Sequence, residues 1–548
     1  MLYLSTTLTS IFITISLVPL LRKFALRFQL VDIPNARKVH CEPMPKSGGL
    51  AMAIGFAVPI LFWMPADGFV VSLLAGAGVI VTFGLLDDIK DLGYKPKLAG
   101  QLIAALLLCF FGDVTIDRMG DLLPDGMILP GFLSRGLTLF VIVGVTNAIN
   151  LSDGLDGLAG GISMLSFLCI GILGYQSEMP VIATLAFAVV GAIFGFLRFN
   201  THPATVFMGD AGSQLLGFLA AGLSLKLCQG SNALSPSLPL IILGFPILDT
   251  LTVMIERIRK GRSPFVADKN HFHHKLMRLG LFHSEAVFAI YVLQSMLILF
   301  AFFFRFHSDW LLVLFYALFS GSVLGGIRYA CRAGWQFKRE GFLDVRLKRR
   351  LKVLRDRDFQ IIVPFWIVEW CLPVFFLAIS LLPATSSRLF GGLYLGWAAG
   401  MLLVSAYSGQ KGKELGIRLF QFFLIPVMLL RVEIDSPEWL TEKLLLGYHL
   451  MFLLIAVLVI FIVKNTRRKK GFHASTMDYL ILFVSVFVPL LPLPHLQQAQ
   501  LIRILPQIIV LFFSIEVLLG ELRGNYTRSC RLCVMCMFVA GIKSVFWG

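Results

Sequence analysis

Charge is scarce in this chain. Of its 548 residues only 15% are Asp, Glu, Lys or Arg, where a soluble globular chain carries about 25%. Hydrophobic residues make up 57%, and the mean hydropathy is +0.82. That excludes a soluble enzyme and a disordered chain, because neither keeps so much apolar surface exposed to water. Paired cysteines are also lacking. Cys41, Cys109, Cys169, Cys228, Cys331, Cys371, Cys530, Cys533 and Cys536 are scattered, most of them in or beside apolar runs. There Cys behaves as a small hydrophobe, so a disulfide-built secreted scaffold is excluded. No basic residue precedes the first apolar run, Met1 to Leu21, and Arg22-Lys23 follow it. A cleaved signal peptide has the opposite order, which predicts a retained first span with its N-terminus outside.

What is present is a series of apolar runs. A helical span needs about 20 such residues. Candidates in the first part are 2–21, 48–64, 68–86, 98–111, 133–149, 158–175, 180–198, 214–230, 236–256, 285–304 and 309–327. Further runs lie at 361–383, 388–407, 417–431, 444–463, 477–495, 501–520 and 531–547. With the N-terminus outside, most Lys and Arg fall in inward loops, above all 22–47, 257–284 and 328–358, as the positive-inside rule requires. The formal charge of +16 is then read as cytoplasmic loops and not as nucleic-acid binding. The expected fold class is all-α: a polytopic membrane helix bundle of about eleven spans, followed by about six or seven more. The predicted boundaries are a domain at 1–330, a basic cytoplasmic linker at 331–358 and an additional transmembrane domain of unknown role at 359–548. The Lys and Arg of 328–357 suit either a solvated linker or contact with anionic lipid.

Acidic and polar groups at span ends are costly and mark functional candidates. Four clusters qualify, all on the inner side. Asp87-Asp88 end the third run, with Lys95 and Lys97 beyond. Adjacent carboxylates repel and need a cation, a proton or a basic partner. Asn147, Asn150, Asp153 and Asp156 lie among glycines, with the first three on one helix face if the helix continues. Phe207-Met-Gly-Asp210 offers an oxygen ligand for a hard cation and a flat ring for a base. Arg262, His271, His273 and His274 stand in a basic tract that lacks Cys, which reads better as an anion site than as zinc. Carboxylates for a divalent ion, cations for phosphate and a pocket for a base, all at a bilayer, suggest phosphoryl transfer from a nucleotide-activated donor to a lipid phosphate. The Cys530-x-x-Cys533-x-x-Cys536 spacing has the look of a metal motif but lacks a fourth ligand, and helix packing or lipidation suits it better.

These clusters, in this order, resemble the polyprenyl-phosphate N-acetylhexosamine-1-phosphate transferases over roughly residues 1–330. The opening Asp32-Ile-Pro-Asn-Ala-Arg37-Lys38-Val-His40 and Pro45-Lys46-Ser47-Gly48-Gly49, with His271-Phe-His273-His274, are similar to the branch that uses a GlcNAc donor. The wall-synthesis branch, which takes UDP-MurNAc-pentapeptide, carries consecutive His there. The resemblance implies that a lipid phosphate attacks the β-phosphate of a UDP-sugar and UMP leaves. It implies Mg²⁺ (Mn²⁺ as substitute), with Asp210 as main ligand, Asp87 and Asp88 beside it and Asn150 on the metal or diphosphate. Asp153 and Asp156 would serve the nucleotide, Phe207 the uracil, Arg262 and the three His phosphate or sugar, and Lys97 the lipid phosphate. Implied partners are the UDP-sugar, polyprenyl phosphate and the bilayer of a bacterial inner membrane, with the active site facing the cytoplasm. Homodimerisation and docking of later glycosyltransferases stay open. A rival reading, a transporter or flippase of lipid-linked sugars, would place charged groups near the midplane at broken helices within internal repeats. Here they cluster on one side, and no repeat is evident by eye.

Overall fold

The computed structural model describes residues 2–32, 43–124, 127–229, 233–261 and 271–336, and beyond them 366–372, 375–377, 388–407, 442–465, 527–546 and some positions between. The chain divides into two compact units, the first made of Met1–Lys338 with Ser475–Leu480 and the second of Arg339–Ala474 with Ile481–Gly548.

The first unit is an all-α bundle. Its long helices are α1 (Leu2–Arg27), α2 (Gly48–Trp63), α3 (Gly68–Lys90), α4 (Tyr94–Phe110), α5 (Gly131–Leu151), α6 (Leu158–Gln176), α7 (Pro180–Asn200) and α8 (Gly209–Cys228). After them come the short α9 (Leu238–Ile242), then α10 (Gly244–Arg259), α11 (Phe272–Arg278), α12 (His283–Phe303) and α13 (Asp309–Arg332). A two-stranded antiparallel ladder pairs β1 (Val31–Asp32) with β2 (Met44–Pro45). Eight described helices are long and apolar enough to cross a membrane. This is a multi-pass membrane protein.

All eleven apolar runs of this part are helical, but three form less than a full crossing. The runs at 48–64 and 98–111 give helices of 16 and 17 residues. The run at 236–256 breaks at Leu243 into α9 and α10. Pro246, in the first turn of α10, has no N–H to continue the preceding helix.

Almost all of α8 is buried, and it packs on α3 and α5. Around this centre α6 lies on α7, and α1 and α2 cover α7. α13 is mostly exposed along an apolar surface, as a lipid-facing helix should be. The helices that carry the polar clusters run past their apolar stretches. α3 continues to Lys90, α4 starts at Tyr94 and α8 starts at Gly209. Asp87, Asp88, Lys97 and Asp210 therefore stand on helix termini and not in loops. α3 is secured at its other end, where the Asp67 side chain accepts from Val70 N at 2.7 Å.

The second unit contains α14 (Arg388–Tyr407), α15 (Glu442–Asn465) and α16 (Thr527–Phe546). α14 and α16 pack together around an apolar core. Cys530 and Cys536 are buried in that core and Cys533 packs against it. The three act as helix-face packing residues. Most of the basic stretch 331–358 lies outside the described residues.

Candidate active site

The clusters converge where the end of α3 meets the starts of α4 and α8 and the end of α5. Lys97, in the first turn of α4, reaches two carboxylates. Its Nζ lies 2.7 Å from Asp87 Oδ2 and 2.5 Å from Asp210 Oδ2. One ammonium thus holds together two like charges that would otherwise repel.

The adjacent acids divide their work. Asp88 Oδ1 accepts from the backbone N–H of Asp210 at 3.2 Å, and Oδ2 from that of Ala211 at 3.3 Å. It caps the first turn of α8, whose N–H groups have no partner within the helix. Asp87 Oδ1 is buried and, among the described residues, takes no hydrogen bond. Asp88 is a brace, and Asp87 faces Lys97 and Asp210 as a ligand would.

Backbone geometry demands glycine at two points here. Gly209 has φ +66°, and a Cβ there would lie 2.4 Å from Asp88 Oδ2. A Cβ on Gly154 would lie 2.4 Å from the His273 ring. The first glycine lets Asp88 reach α8. The second lets α11 close on the loop that carries Asp153.

Lys46 stands after β2, 3.4 Å from Asp88 Oδ1 and 3.5 Å from Asp32 Oδ1. Burial works against its charge, but Asp88 and Asp32 more than offset this and hold its pKa above the ordinary value. The segment around it is tied to the start of α8. Phe207 N donates to Pro45 O at 2.9 Å and Gly48 N to Phe207 O at 3.0 Å. Phe207 is half-buried beside this ladder.

Asn150 joins the group through Ser213, whose hydroxyl donates to Asn150 Oδ1 at 2.8 Å. Behind it, Gln101 Nε2 donates to Gln214 Oε1 at 2.9 Å and Asn147 Nδ2 donates to Gln101 Oε1 at 2.7 Å, which locks α4, α5 and α8 together.

The two acids of the α5–α6 loop differ. Burial, with the charges of Asp210 and Asp156 adding to it, pushes Asp153 up to about 7. Asp156 faces elsewhere. Its Oδ2 lies 2.8 Å from His202 Nδ1 and accepts from Ala204 N at 3.1 Å. The His283 ring stacks on His202 with centroids 4.2 Å apart. Burial alone would raise the Asp156 pKa, but His202 and its neighbours bring it below the ordinary value. Ligand atoms of Asp156, His202 and His283 lie within 4.8 Å of one another. Hydrogen bonds within the trio already account for that closeness.

His273 is buried, and burial together with neighbouring His274 pushes it down to about 3. It is a neutral ring against Gly154, not a cation. His274 lies beside it, centroids 4.3 Å apart, and His271 lies parallel to it at 5.9 Å. Arg262 lies outside the described residues, as do Arg37, Lys38 and His40.

Several contributors escaped the sequence reading as site residues: Lys46, Ser213, His202, His283 and Asp249. The last had a signal. It is a carboxylate well inside the apolar run 236–256, where an acid is expensive. His202 and His283 are lone histidines in unrelated segments, and nothing short of the fold brings them to Asp156.

Residues 70–228 match the model of the glycosyl transferase family 4. The chain is 35% identical over 366 residues to an undecaprenyl-phosphate alpha-N-acetylglucosaminyl 1-phosphate transferase of Escherichia coli O157:H7, covering 64% of this chain and 96% of that protein. It is 36% identical over 292 residues to a probable undecaprenyl-phosphate N-acetylglucosaminyl 1-phosphate transferase of Bacillus subtilis, covering 52% of this chain and 80% of the relative. A decaprenyl-phosphate N-acetylglucosaminephosphotransferase of Mycolicibacterium smegmatis is 37% identical over 317 residues, covering 52% and 78%.

Proposed function

The chain belongs to the polyprenyl-phosphate N-acetylhexosamine-1-phosphate transferase family, and from that premise we propose that it moves N-acetylglucosamine 1-phosphate from UDP-GlcNAc to a polyprenyl phosphate. The reaction takes place at the cytoplasmic face of a bacterial inner membrane and starts a cell-surface polysaccharide. The observation that carries this reading is the Lys97 ammonium held between Asp87 and Asp210, next to a buried Asp87 oxygen with no hydrogen bond among the described residues.

That donor set fits Mg²⁺, with Mn²⁺ as substitute. It is made of oxygens, carries excess negative charge and already surrounds a cation, as a hard divalent ion requires. Asp210 and Asp87 would hold the ion, and the Asn150 amide oxygen, which accepts from Ser213 near the start of α8, would complete the oxygen set. When bound, the ion supplies charge neutralisation on the diphosphate.

The chain's own residues perform the rest. A lipid phosphate oxygen forms a bond to the β-phosphorus of the donor. The bond from that phosphorus to the oxygen bridging to the α-phosphorus breaks, and UMP leaves with the electron pair. The acceptor is a phosphate anion, so the protein has mainly to position it and screen charge. Lys97 sits at the start of α4, where its ammonium would hold the acceptor phosphate while Asp87 and Asp210 would hold the ion. Lys46 balances Asp88 and Asp32 on the other side. Asp153, Asp156 and Phe207 serve the nucleotide, with Asp156 acting through its hold on the 202–204 segment. His271, His273 and His274 receive the sugar side, with His273 as a neutral hydrogen-bonding group. Arg262 completes the phosphate contacts.

The test is UMP release by detergent-purified protein given UDP-GlcNAc, a polyprenyl phosphate and Mg²⁺. We expect lipid-dependent UMP that disappears with EDTA and in Asp210→Ala. Folded protein that releases no UMP from any UDP-N-acetylhexosamine would overturn the proposal. Release only from UDP-MurNAc-pentapeptide would replace the donor and keep the chemistry.

A further inference from the structure

Asp249 lies on α10, outside every motif that the chemistry above uses, yet it is 4% exposed and both of its oxygens are engaged. Oδ2 lies 3.0 Å from His271 Nδ1, and Oδ1 accepts from Phe272 N at 2.8 Å. Phe272 N is the first orphan N–H of α11. One buried carboxylate thus fixes the start of α11 and one nitrogen of the histidine that precedes it. His271 is itself 7% exposed. Its ring lies parallel to His273, and His273 closes on Gly154 beside Asp153.

A carboxylate has only acceptors to offer. With Oδ1 taken by an N–H, Oδ2 asks His271 for a donor, so the proton belongs on Nδ1. Nε2 is then the ring's acceptor nitrogen. We propose that Asp249 is a positioning residue for the transfer reaction, holding His271 in the Nδ1–H tautomer and setting α11, with its histidines, against the Asp153 loop. The proposal rests on the transferase reading, because turnover is one of its readouts.

Asp249→Asn separates the two duties. Its amide oxygen can still accept from Phe272 N, because the opposite orientation would place two N–H groups face to face. The NH₂ then points at His271 Nδ1, which must become an acceptor, and the His271 proton moves to Nε2. α11 keeps its start and only the tautomer reverses, a change known in other systems to cost far more rate than stability.

The experiment is a double-mutant cycle of Asp249→Asn with His271→Gln, on the full-length protein in detergent, reading kcat for UMP release and the melting temperature. We expect Asp249→Asn to lower kcat by about 10²-fold with the histidine present. In the His271→Gln background it should lower kcat by less than about 3-fold. Equal losses in both backgrounds, or undiminished kcat in Asp249→Asn, would overturn the proposal. A second measurement does not depend on that variant's folding. ¹⁵N spectra of histidine-labelled wild type, with the His271 signal assigned by its loss in His271→Gln, should show Nδ1 protonated and Nε2 bare. The reverse pattern would also overturn it. Because the spectra need no turnover, an inactive protein with the expected tautomer would count against the transferase reading alone.

Discussion

Asp309 and Asp210 are both acids in the first turn of a helix, and the molecule surrounds them differently. Asp309, at the start of α13, accepts from the Ser235 hydroxyl, from Ser237 N at 2.9 Å and from Asp121 N at 3.2 Å. Each of these three partners is a neutral donor fixed by backbone or a short side chain. Asp210, at the start of α8, shares one lysine with Asp87, and Asp87 keeps a buried oxygen without a hydrogen bond among the described residues. Asp309 is a joint between the α8–α9 connection, the 120–122 turn and α13. The Asp87–Asp210 pair is the cation site proposed above, held by a charge that another cation could replace. Burial alone does not separate a structural acid from a functional one. The separation comes from whether the partners are immovable neutral dipoles, or charges that a ligand can replace.

The sharpest test of that contrast is the same amide substitution at both places. Asp210→Asn should lower lipid-dependent UMP release by about 10³-fold with the melting temperature nearly unchanged, measured on one purified sample. Lys97→Met should come next, with a loss of about 10²-fold in turnover. It should also tighten Mn²⁺ binding, followed by electron paramagnetic resonance, because the resident cation no longer competes for Asp87 and Asp210. Weaker Mn²⁺ binding in that variant would break the idea that Lys97 stands where the ion goes. Asp309→Asn should do the opposite of Asp210→Asn. Its NH₂ would oppose Asp121 N, costing about 1–3 kcal/mol. The melting temperature should fall while kcat of the folded fraction stays within about 2-fold.

The smallest effect concerns Asp153. Its pKa of about 7 is above that of an unfolded Asp, about 3.9. Below both values the group is neutral in either state and costs nothing. As pH rises from about 4 to about 7 the unfolded chain ionises first, so stability falls across that window. Asp153→Asn should therefore raise the melting temperature by a few degrees at pH 8 and by little at pH 4, in scans with no divalent ion. A gain of equal size at both values would show that Asp153 is not held neutral.

Much of this was legible in the sequence. The apolar runs predicted the helices because lipid leaves the backbone no partners but its own. The clusters at Asp87, Asn150, Asp210 and His271 stood out because acids and histidines beside apolar runs are costly. Less legible were the helix ends. The third run seemed to stop at Leu86, yet α3 carries Asp87 and Asp88 in its last turns. The eighth seemed to start near 214, yet α8 begins at Gly209 and holds Asp210. Hydropathy marks where lipid ends and not where hydrogen bonding ends, and the candidate site residues occupy the difference.

The amino-acid sequence by itself determined the all-α bundle, the multi-pass character and the candidate chemistry, because each follows from local composition and short spacing. Only the tertiary structure decided which acid of each pair does what. Asp88 became the cap of α8 and Asp87 a partner of Lys97 because Gly209 lets the end of α3 close on the start of α8. Asp153 became a buried acid and Asp156 turned toward His202 because α7 and α12 bring two distant histidines to one side of a short loop. Asp249 found His271 by the packing of α10 against the start of α11. Adjacent or nearby carboxylates are chemically alike along the chain. They differ only through the donors that folding places around each one, and those donors come from residues more than a hundred positions away for Asp88 and twenty-two for Asp249.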